Sequence, residues 1–575
     1  MNPLLVTDNY KVGHPFMYPK NMQVLESNMT ARSDTRFTSK GFDHKVVIAG
    51  VQGLVKEYFV KAFNEEFFNQ PVEEVVEEYA DIMNGVFGPG VITTLHIRKL
   101  HDLQYLPIQV QALPEGSRVN IGVPFIRIKN TVKGFGWLTN YLETLVSNAL
   151  WPSVTNATIA FEFRKILQAA AIETVGEANP FVVGYQAHDF SLRGLLGGKS
   201  GSTNIGHLYS FIGSDHVPSI YYARKLYNAK NDYIAGSVPA TEHSVASSNI
   251  LNIVYKLQTE GSFEGTVRDE SVDIKEQAEE IFIKKMITEV FPTGIFSYVS
   301  DTFDYWTVLT KILPRLKQVI LDRKDTDSPA PTRLVVRPDS GDVVEMICGL
   351  RVAPDESILN SEEMRDYDVV KDCGKYYRYE LNDIYSFGEY CGLELIYLEE
   401  VPEHTVRGSI EVLWDIFGGT CTEKGFKQLN SKIGLIYGDS ITLKNMPEIL
   451  QRLKDKGFAS TNVIFGIGSF TYQYNTRDTF GQAIKATHAV FSNDDGTEYE
   501  VDLFKDPLTG DREKKSAKGR VAVFEGPDGF VLKQGATEEE QDADAFVTYF
   551  VGLPGKNFVR DDSLANVRKR LLSQL

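Results

Sequence analysis

Between residues 182 and 469, short apolar runs recur, and each ends in a small or charged residue. They occupy residues 182–189, 208–215, 237–243, 295–301, 334–339, 433–439 and 463–469. A strand solvated on one face alternates apolar and polar residues, whereas a strand buried on both faces reads as an unbroken apolar run. Several of the gaps between these runs carry helical periodicity, as in 277–290 and 446–456. Strands alternating with helices make a parallel sheet, so the chain is of the α/β class. Seven such strands in one region predict a closed (β/α) barrel, which keeps its active site at the C-terminal ends of its strands.

The flanks read differently. Residues 51–62 and 72–83 carry apolar side chains at helical spacing, and 136–150 returns to that spacing before ending ahead of Trp151-Pro152. Short strands are expected at 107–110, 118–121 and 124–128, with Pro114-Glu115-Gly116 turning between the first two. Beyond residue 485, Asn493-Asp494-Asp495-Gly496 and Gly526-Pro527-Asp528-Gly529 each join two strand-like runs, which is a hairpin pattern. Strands from the two chain ends are expected to pair. Residues 1–151 and 485–575 would then form one discontinuous α/β sandwich domain, with a barrel domain at 152–484. The weakly periodic segment at about 345–425, rich in Asp, Glu and Tyr, reads as an insertion in the barrel and a surface subdomain.

Sixty Lys and Arg against 77 Asp and Glu leave a net charge of -17. Such a surface repels phosphate backbones, so no nucleic-acid partner is expected, and a phosphorylated ligand has to be met by a local basic pocket. No run approaches the ~18 apolar residues of a membrane helix. Residues 1–8 have no basic lead, so no secretory signal is expected. Cys348, Cys373, Cys391 and Cys421 form no C-x-x-C pair and are expected to be free thiols. These features together predict a cytoplasmic protein with no membrane partner.

The ends of the apolar runs carry Asp189, Arg193, Asp215, Glu242, His243, Asp301, Arg337, Asp339 and Asp439. Singly, an acid after a strand ordinarily caps the next helix. Together, ionisable groups on one face repel unless ligands, metal or opposite charges interleave them. Arginines mixed with aspartates suit a ligand bearing phosphates and hydroxyls, with a divalent metal between carboxylate and phosphate. Phe465-Gly466-Ile467-Gly468-Ser469 adds a glycine-rich turn after a strand, where backbone N–H groups can approach phosphate, and Arg477 follows shortly. Lys505, Lys514, Lys515, Lys518 and Arg520 form a second basic group, read equally as a solvated face or a phosphate entry. Phe190 at a strand end and Tyr10 in a polar N-terminal segment are candidates to stack on a planar ring; packing within the domain is the alternative.

Longer motifs join these residues. Thr7-Asp8-x-Tyr10-Lys11-x-x-His14, Leu113-Pro114-Glu115-Gly116, His188-Asp189-Phe190-x-x-Arg193-Gly194, Ser237-Val238-Pro239-Ala240-x-Glu242-His243-Ser244, Val299-Ser300-Asp301, Arg337-Pro338-Asp339-Ser340-Gly341 and Phe504-Lys505-Asp506-Pro507 follow in order. In this the chain resembles, over nearly its whole length, the nicotinamide phosphoribosyltransferase family of type II phosphoribosyltransferases. The resemblance implies that nicotinamide and 5-phosphoribosyl 1-pyrophosphate react to nicotinamide mononucleotide and pyrophosphate, in a homodimer with active sites at its interface.

The resemblance also implies roles. Phe190, with Tyr10 from the other subunit, would sandwich the pyridine ring, and Asp215 would accept a hydrogen bond from its carboxamide. Arg193, His243 and Arg337 would face pyrophosphate, with Mg²⁺ bridging phosphate oxygens and no protein ligand assigned to it. Asp339, Gly438, Asp439, Gly468, Ser469 and Arg477 would hold the nucleotide. His243, Asp301 and Asp339 would form the catalytic group, Asp301 organising the site near His243, which would accept a phosphoryl group from ATP as an optional coupling substrate. Two departures stand out: the insertion at about 345–425 is longer than the family norm, and Gly466-Ile467-Gly468-Ser469 is less glycine-rich than the family's loop. Two other readings are a nicotinate phosphoribosyltransferase, which would need a neutral or cationic group in place of Asp215, and a non-catalytic binding or signalling protein on the same scaffold. The full set of strand-end charges argues against the last.

Overall fold

Both chain ends contribute to one antiparallel sheet in the computed structural model, which describes residues 1–196, 200–230, 233–327, 330–354, 362–386, 389–438, 440–507 and 515–575. Its seven strands run in the order Glu498–Asp502, Ala483–Ser492, Met22–Thr30, Pro124–Asn130, Ile108–Ala112, Val547–Val551, Phe558–Val559. The long central pairing sets Leu25 against Ala489 and Thr30 against Ala483. The helix Val72–Phe87 buries Val75, Val76, Tyr79 and Met83 and leaves its glutamates outside, as the i, i+3/i+4 spacing requires. Phe59, Phe63, Phe67, Phe125 and Tyr141 complete this core.

This unit comprises Met1–Lys165, Ser191–Ala235 and Ser469–Leu575; the second comprises Ile166–Phe190 and Gly236–Gly468. The boundaries differ from 1–151, 152–484 and 485–575, and the excursion 191–235 goes with the first unit. One boundary falls inside a single helix, Glu143–Thr174, which runs through Pro152. The sequence reading ended that helix at residue 150. A proline there removes one backbone hydrogen bond, but Val154, Ala157, Phe161 and Leu167 beyond it are all buried, and that burial outweighs the lost bond.

The second unit holds a five-stranded parallel sheet in the order Ala187–Asp189, Val463–Ile467, Ile433–Tyr437, Arg333–Arg337, Ile295–Val299. A parallel bridge between Ala240 and Ser297 continues it by one position. The α/β class and the separate antiparallel sheet are as expected. Three of the seven expected strands are not strands along their length. Residues 182–189 are mostly the helix Pro180–Gln186, whose first turn is capped by the Asn179 side chain with proline at its first position, a start signal the apolar run concealed. Residues 208–215 begin in the helical turn His207–Ser210 and belong to the other unit; only Gly213 and Ser214 are bridge-paired, and His207 Nε2 lies 2.9 Å from the Gly213 carbonyl. Residues 237–243 contribute only the bridge at Ala240, because Pro239 offers no N–H and His243 opens the helix His243–Thr259.

The insertion is ordered around a three-stranded antiparallel sheet, Val369–Asp372, Lys375–Ser386 and Glu389–Val401, with a small core of Leu350, Val369, Val401 and Val406. Cys348, Cys373 and Cys421 are free thiols. No described helix is long and apolar enough to cross a membrane.

Candidate active site

Parallel strands present their C-terminal ends along one edge, and the chain places its chemistry there in the second unit. Ser300 and Asp301 follow the strand Ile295–Val299, Arg337 ends the strand Arg333–Arg337 with Asp339 just beyond, and Gly438 follows Ile433–Tyr437. His243 follows the Ala240 bridge at the first position of its helix. His243 Nε2 lies 3.7 Å from Asp301 Oδ1 and 3.6 Å from Asp339 Oδ2, and its Nδ1 lies 3.4 Å from Thr302 Oγ1. The loop after Arg337 binds one of the carboxylates: Asp301 Oδ2 accepts from the Asp339 backbone N–H at 3.1 Å and from Ser340 Oγ at 2.6 Å. Asp301 Oδ1, in a side chain only 6% exposed, is buried with no hydrogen-bond partner among the described residues. The imidazole is half-exposed, so one face remains open to an incoming group.

Arg337 is fixed at one corner, where a terminal guanidinium nitrogen donates to the Thr241 carbonyl at 2.8 Å. Its Nε is buried without a hydrogen-bond partner among the described residues. A Cβ at Gly438 would collide with Asp339 Oδ1, so a side chain there would displace the Asp339 carboxylate. Gly466 is confined in a similar way. It lies within the strand Val463–Ile467, under the ring of Phe190, whose backbone N–H donates to the Ile467 carbonyl at 3.0 Å. The glycine-rich turn is thus partly a seat for Phe190, and the His188 ring packs beside it at 4.8 Å between centroids. Glu242 caps no backbone N–H with its side chain; it accepts from Ser244 Oγ.

In the first unit, Ser469 opens a short helix against Gly194, where a Cβ would collide with the serine side chain; Arg193 on the same turn is exposed. Tyr10 and Arg477 line one cavity of about 240 Å³ with Asp8, Lys11, Glu143 and Trp151. Asp215 is exposed and directly follows the bridge-paired Gly213 and Ser214, and the following helix is capped by the buried His216, which accepts from the Ser219 N–H. Asp439 and Lys514 lie outside the described residues. Of the other basic residues, Lys515 pairs with Asp506 at 2.7 Å, Arg520 pairs with Glu500, and Lys518 lies over the Phe504 ring.

Sequence reasoning missed Lys485 and Arg32. Burial pushes the Lys485 ammonium pKa down, Glu143 opposes the shift, and the positive charges of Arg32, Lys11 and Lys505 reinforce it. Like charges that bear on one partly buried ammonium favour an anion beside it. Lys11 and Lys505 stand in the motifs that carry the resemblance; Lys485 and Arg32 stand in none and come from segments far apart in the chain.

Among the described residues no group of three His, Cys, Asp or Glu side chains is placed to hold a metal ion. The orphaned Asp301 Oδ1 beside the Asp339 carboxylate nevertheless offers hard oxygen donors of the kind Mg²⁺ takes, provided phosphate oxygens and water complete the shell.

A parallel sheet whose C-terminal edge gathers a histidine, an arginine and two aspartates has the arrangement of an α/β enzyme that handles a charged substrate. The chain belongs to the nicotinate phosphoribosyltransferase (NAPRTase) family, whose model matches residues 185–550. It is 39% identical to a nicotinamide phosphoribosyltransferase of Acinetobacter baylyi, covering 100% of this chain and 98% of that protein. Proteins of the same name from Mycoplasma pneumoniae and Mycoplasma genitalium are each 29% identical over 90% of this chain and 94% of their own length.

Proposed function

We propose that the protein transfers the phosphoribosyl group of 5-phosphoribosyl 1-pyrophosphate to nicotinamide, releasing pyrophosphate and supplying nicotinamide mononucleotide for NAD salvage. The full-length likeness to relatives named for this reaction supports the reading. The single structural observation that carries it is the His243, Asp301, Asp339 and Arg337 cluster at the parallel strand ends.

The pyridine nitrogen of nicotinamide carries no proton and attacks the anomeric carbon itself, so no protein base is needed. The barrier lies in orienting the ring and stabilising the departing pyrophosphate. In this reading Phe190 supplies one face of the ring site and Tyr10, 66% exposed, supplies the other from a second subunit, which makes the protein a homodimer. Arg337, His243 and Arg193 meet pyrophosphate. Asp339, Gly438, Asp439, Gly468, Ser469 and Arg477 hold the nucleotide, and Lys485, Arg32 and Lys505 grip its 5′-phosphate, the Lys11 charge being met by Glu143. Asp301 and Asp339 would hold Mg²⁺, which neutralises phosphate charge when bound. His243, faced by two carboxylates that can take its second ring proton, is suited to accept a phosphoryl group from ATP. The acidic balance supports a reading without a nucleic-acid partner, and a cytoplasmic location without a membrane partner belongs to the same reading.

The family's description makes nicotinate the competing substrate. Steady-state assays that offer each pyridine with 5-phosphoribosyl 1-pyrophosphate decide between them. Preference for nicotinamide, narrowed by Asp215→Asn, supports the reading and the role of Asp215 in it. Preference for nicotinate refutes it, and turnover of neither leaves a binding protein.

A further inference from the structure

Tyr10 sits on chain that cannot hold its own shape. Asn9–Lys11 is a single 3₁₀ turn and His14–Met17 a single α-helical turn, and helices this short are not stable alone. Something outside the segment has to hold it, and Lys11 makes the most of these contacts. Its side chain is 3% exposed, and Nζ donates to Glu143 Oε2 at 2.6 Å and to the Asn140 carbonyl at 2.9 Å. The same ammonium lies 5.5 Å from the centre of the Tyr10 ring. Thr144 Oγ1 adds a 2.6 Å hydrogen bond to Asp8 Oδ2.

A buried ion pair is weak evidence for stability, since an apolar pair of similar volume often does as well, but it imposes direction. Here the direction matters, because the residue next to the buried lysine is an exposed tyrosine on the wall of a cavity that Glu143 and Arg477 also line. Breaking a pair of this kind leaves a charge uncompensated and lets the segment settle elsewhere.

We infer that the Lys11–Glu143 ion pair sets the position of Tyr10, which makes Lys11 and Glu143 positioning residues for the pyridine-binding step. The inference rests on the proposed function, in which Tyr10 touches the pyridine. Neither residue touches substrate in this scheme; both act through Tyr10.

The test compares Lys11→Met, Glu143→Gln, Tyr10→Ala and the double variant Lys11→Met/Tyr10→Ala, reading kcat, KM for nicotinamide, KM for 5-phosphoribosyl 1-pyrophosphate, and amide hydrogen exchange of residues 8–18. Glu143→Gln is the milder lesion and serves if Lys11→Met fails to fold. Either single lesion should raise KM for nicotinamide about tenfold and hasten exchange in residues 8–18, leaving KM for the second substrate within about twofold. In the Tyr10→Ala background the effect of Lys11→Met on KM should vanish, because a misplaced side chain that is absent cannot matter. Unchanged exchange, an unchanged KM for nicotinamide, or effects that add independently to Tyr10→Ala overturn the inference. If Tyr10→Ala raises KM and Lys11→Met does not, the pyridine role of Tyr10 survives and the anchor fails. If Tyr10→Ala itself has no effect, the underlying contact is wrong and the inference falls with it.

Discussion

Gly466 lies directly beneath the ring of Phe190: a methyl group on it would stand 2.7 Å from Phe190 Cδ2 and equally close to the carbonyl oxygens of Tyr437 and Gly438. Two of those three neighbours are backbone, so only the ring can move. Gly466→Ala should therefore tilt Phe190, with an overpacking cost of about 1–3 kcal/mol. The expected result in steady-state assays is a higher KM for the pyridine with a smaller change for the phosphorylated substrate. An unchanged pyridine KM in a stable Gly466→Ala protein removes Phe190 from the ring site.

Behind the same sheet, Tyr298 donates a 2.5 Å hydrogen bond to the Glu279 carboxyl, which is 3% exposed. Burial, only partly offset by that bond, pushes the Glu279 pKa up from 4.5 to about 7. The folded protein thus keeps a proton that the unfolded chain releases near pH 4.5. The protonated carboxyl favours the fold fully below that pH; stability then falls as the pH rises towards 7 and levels off above it, by a total on the order of 3 kcal/mol. Glu279→Gln keeps an acceptor for Tyr298 and should remove this decline, leaving the variant more stable than the wild type at pH 8. Urea unfolding at pH 5, 7 and 8 checks it; parallel profiles for the two proteins would clear Glu279 of the effect.

Arg337→Ala should cripple turnover more than folding. The guanidinium is fixed to the Thr241 carbonyl at a strand end where, in the proposed reaction, the negative charge of pyrophosphate must be met. Loss of one preorganised contact of this kind costs about 2.7–4 kcal/mol of transition-state stabilisation. A folded Arg337→Ala enzyme with near-normal kcat/KM shows that Arg337 lies outside the site.

Sharing of the site between subunits can be read by complementation. Tyr10→Ala and Asp339→Ala homodimers should both be weak, whereas mixed dimers contain one site with both residues intact and should recover part of the activity. Subunit exchange demonstrated without any recovery shows that Tyr10 does not serve a neighbour's site.

Much of the architecture was legible in local pattern. The strands Ile295–Val299, Arg333–Arg337, Ile433–Tyr437 and Val463–Ile467 were visible as unbroken apolar runs because both their faces are covered. The hairpin between Ala483–Ser492 and Glu498–Asp502 was visible in its Asn493-Asp494-Asp495-Gly496 turn. Residues 182–186 and 208–210 misled because a short apolar run fits a buried helix as well as a buried strand, and only the Asn179-Pro180 start distinguished the first of them.

The chain order of Phe190, His243, Asp301, Arg337 and Asp339, each just past or at the end of an apolar run, was determined by the sequence alone, since a parallel sheet puts all such ends on one edge. Tertiary structure alone decided what joins residues far apart in the chain. It placed 191–235, and Asp215 with it, in the unit with the antiparallel sheet, and it gave the helix cap to His216. It also set Lys11 against Glu143, 132 residues away, and brought Lys485 under the influence of Arg32, Lys11 and Lys505. Local periodicity records which face of an element is buried; it carries no record of which distant side chain that face meets.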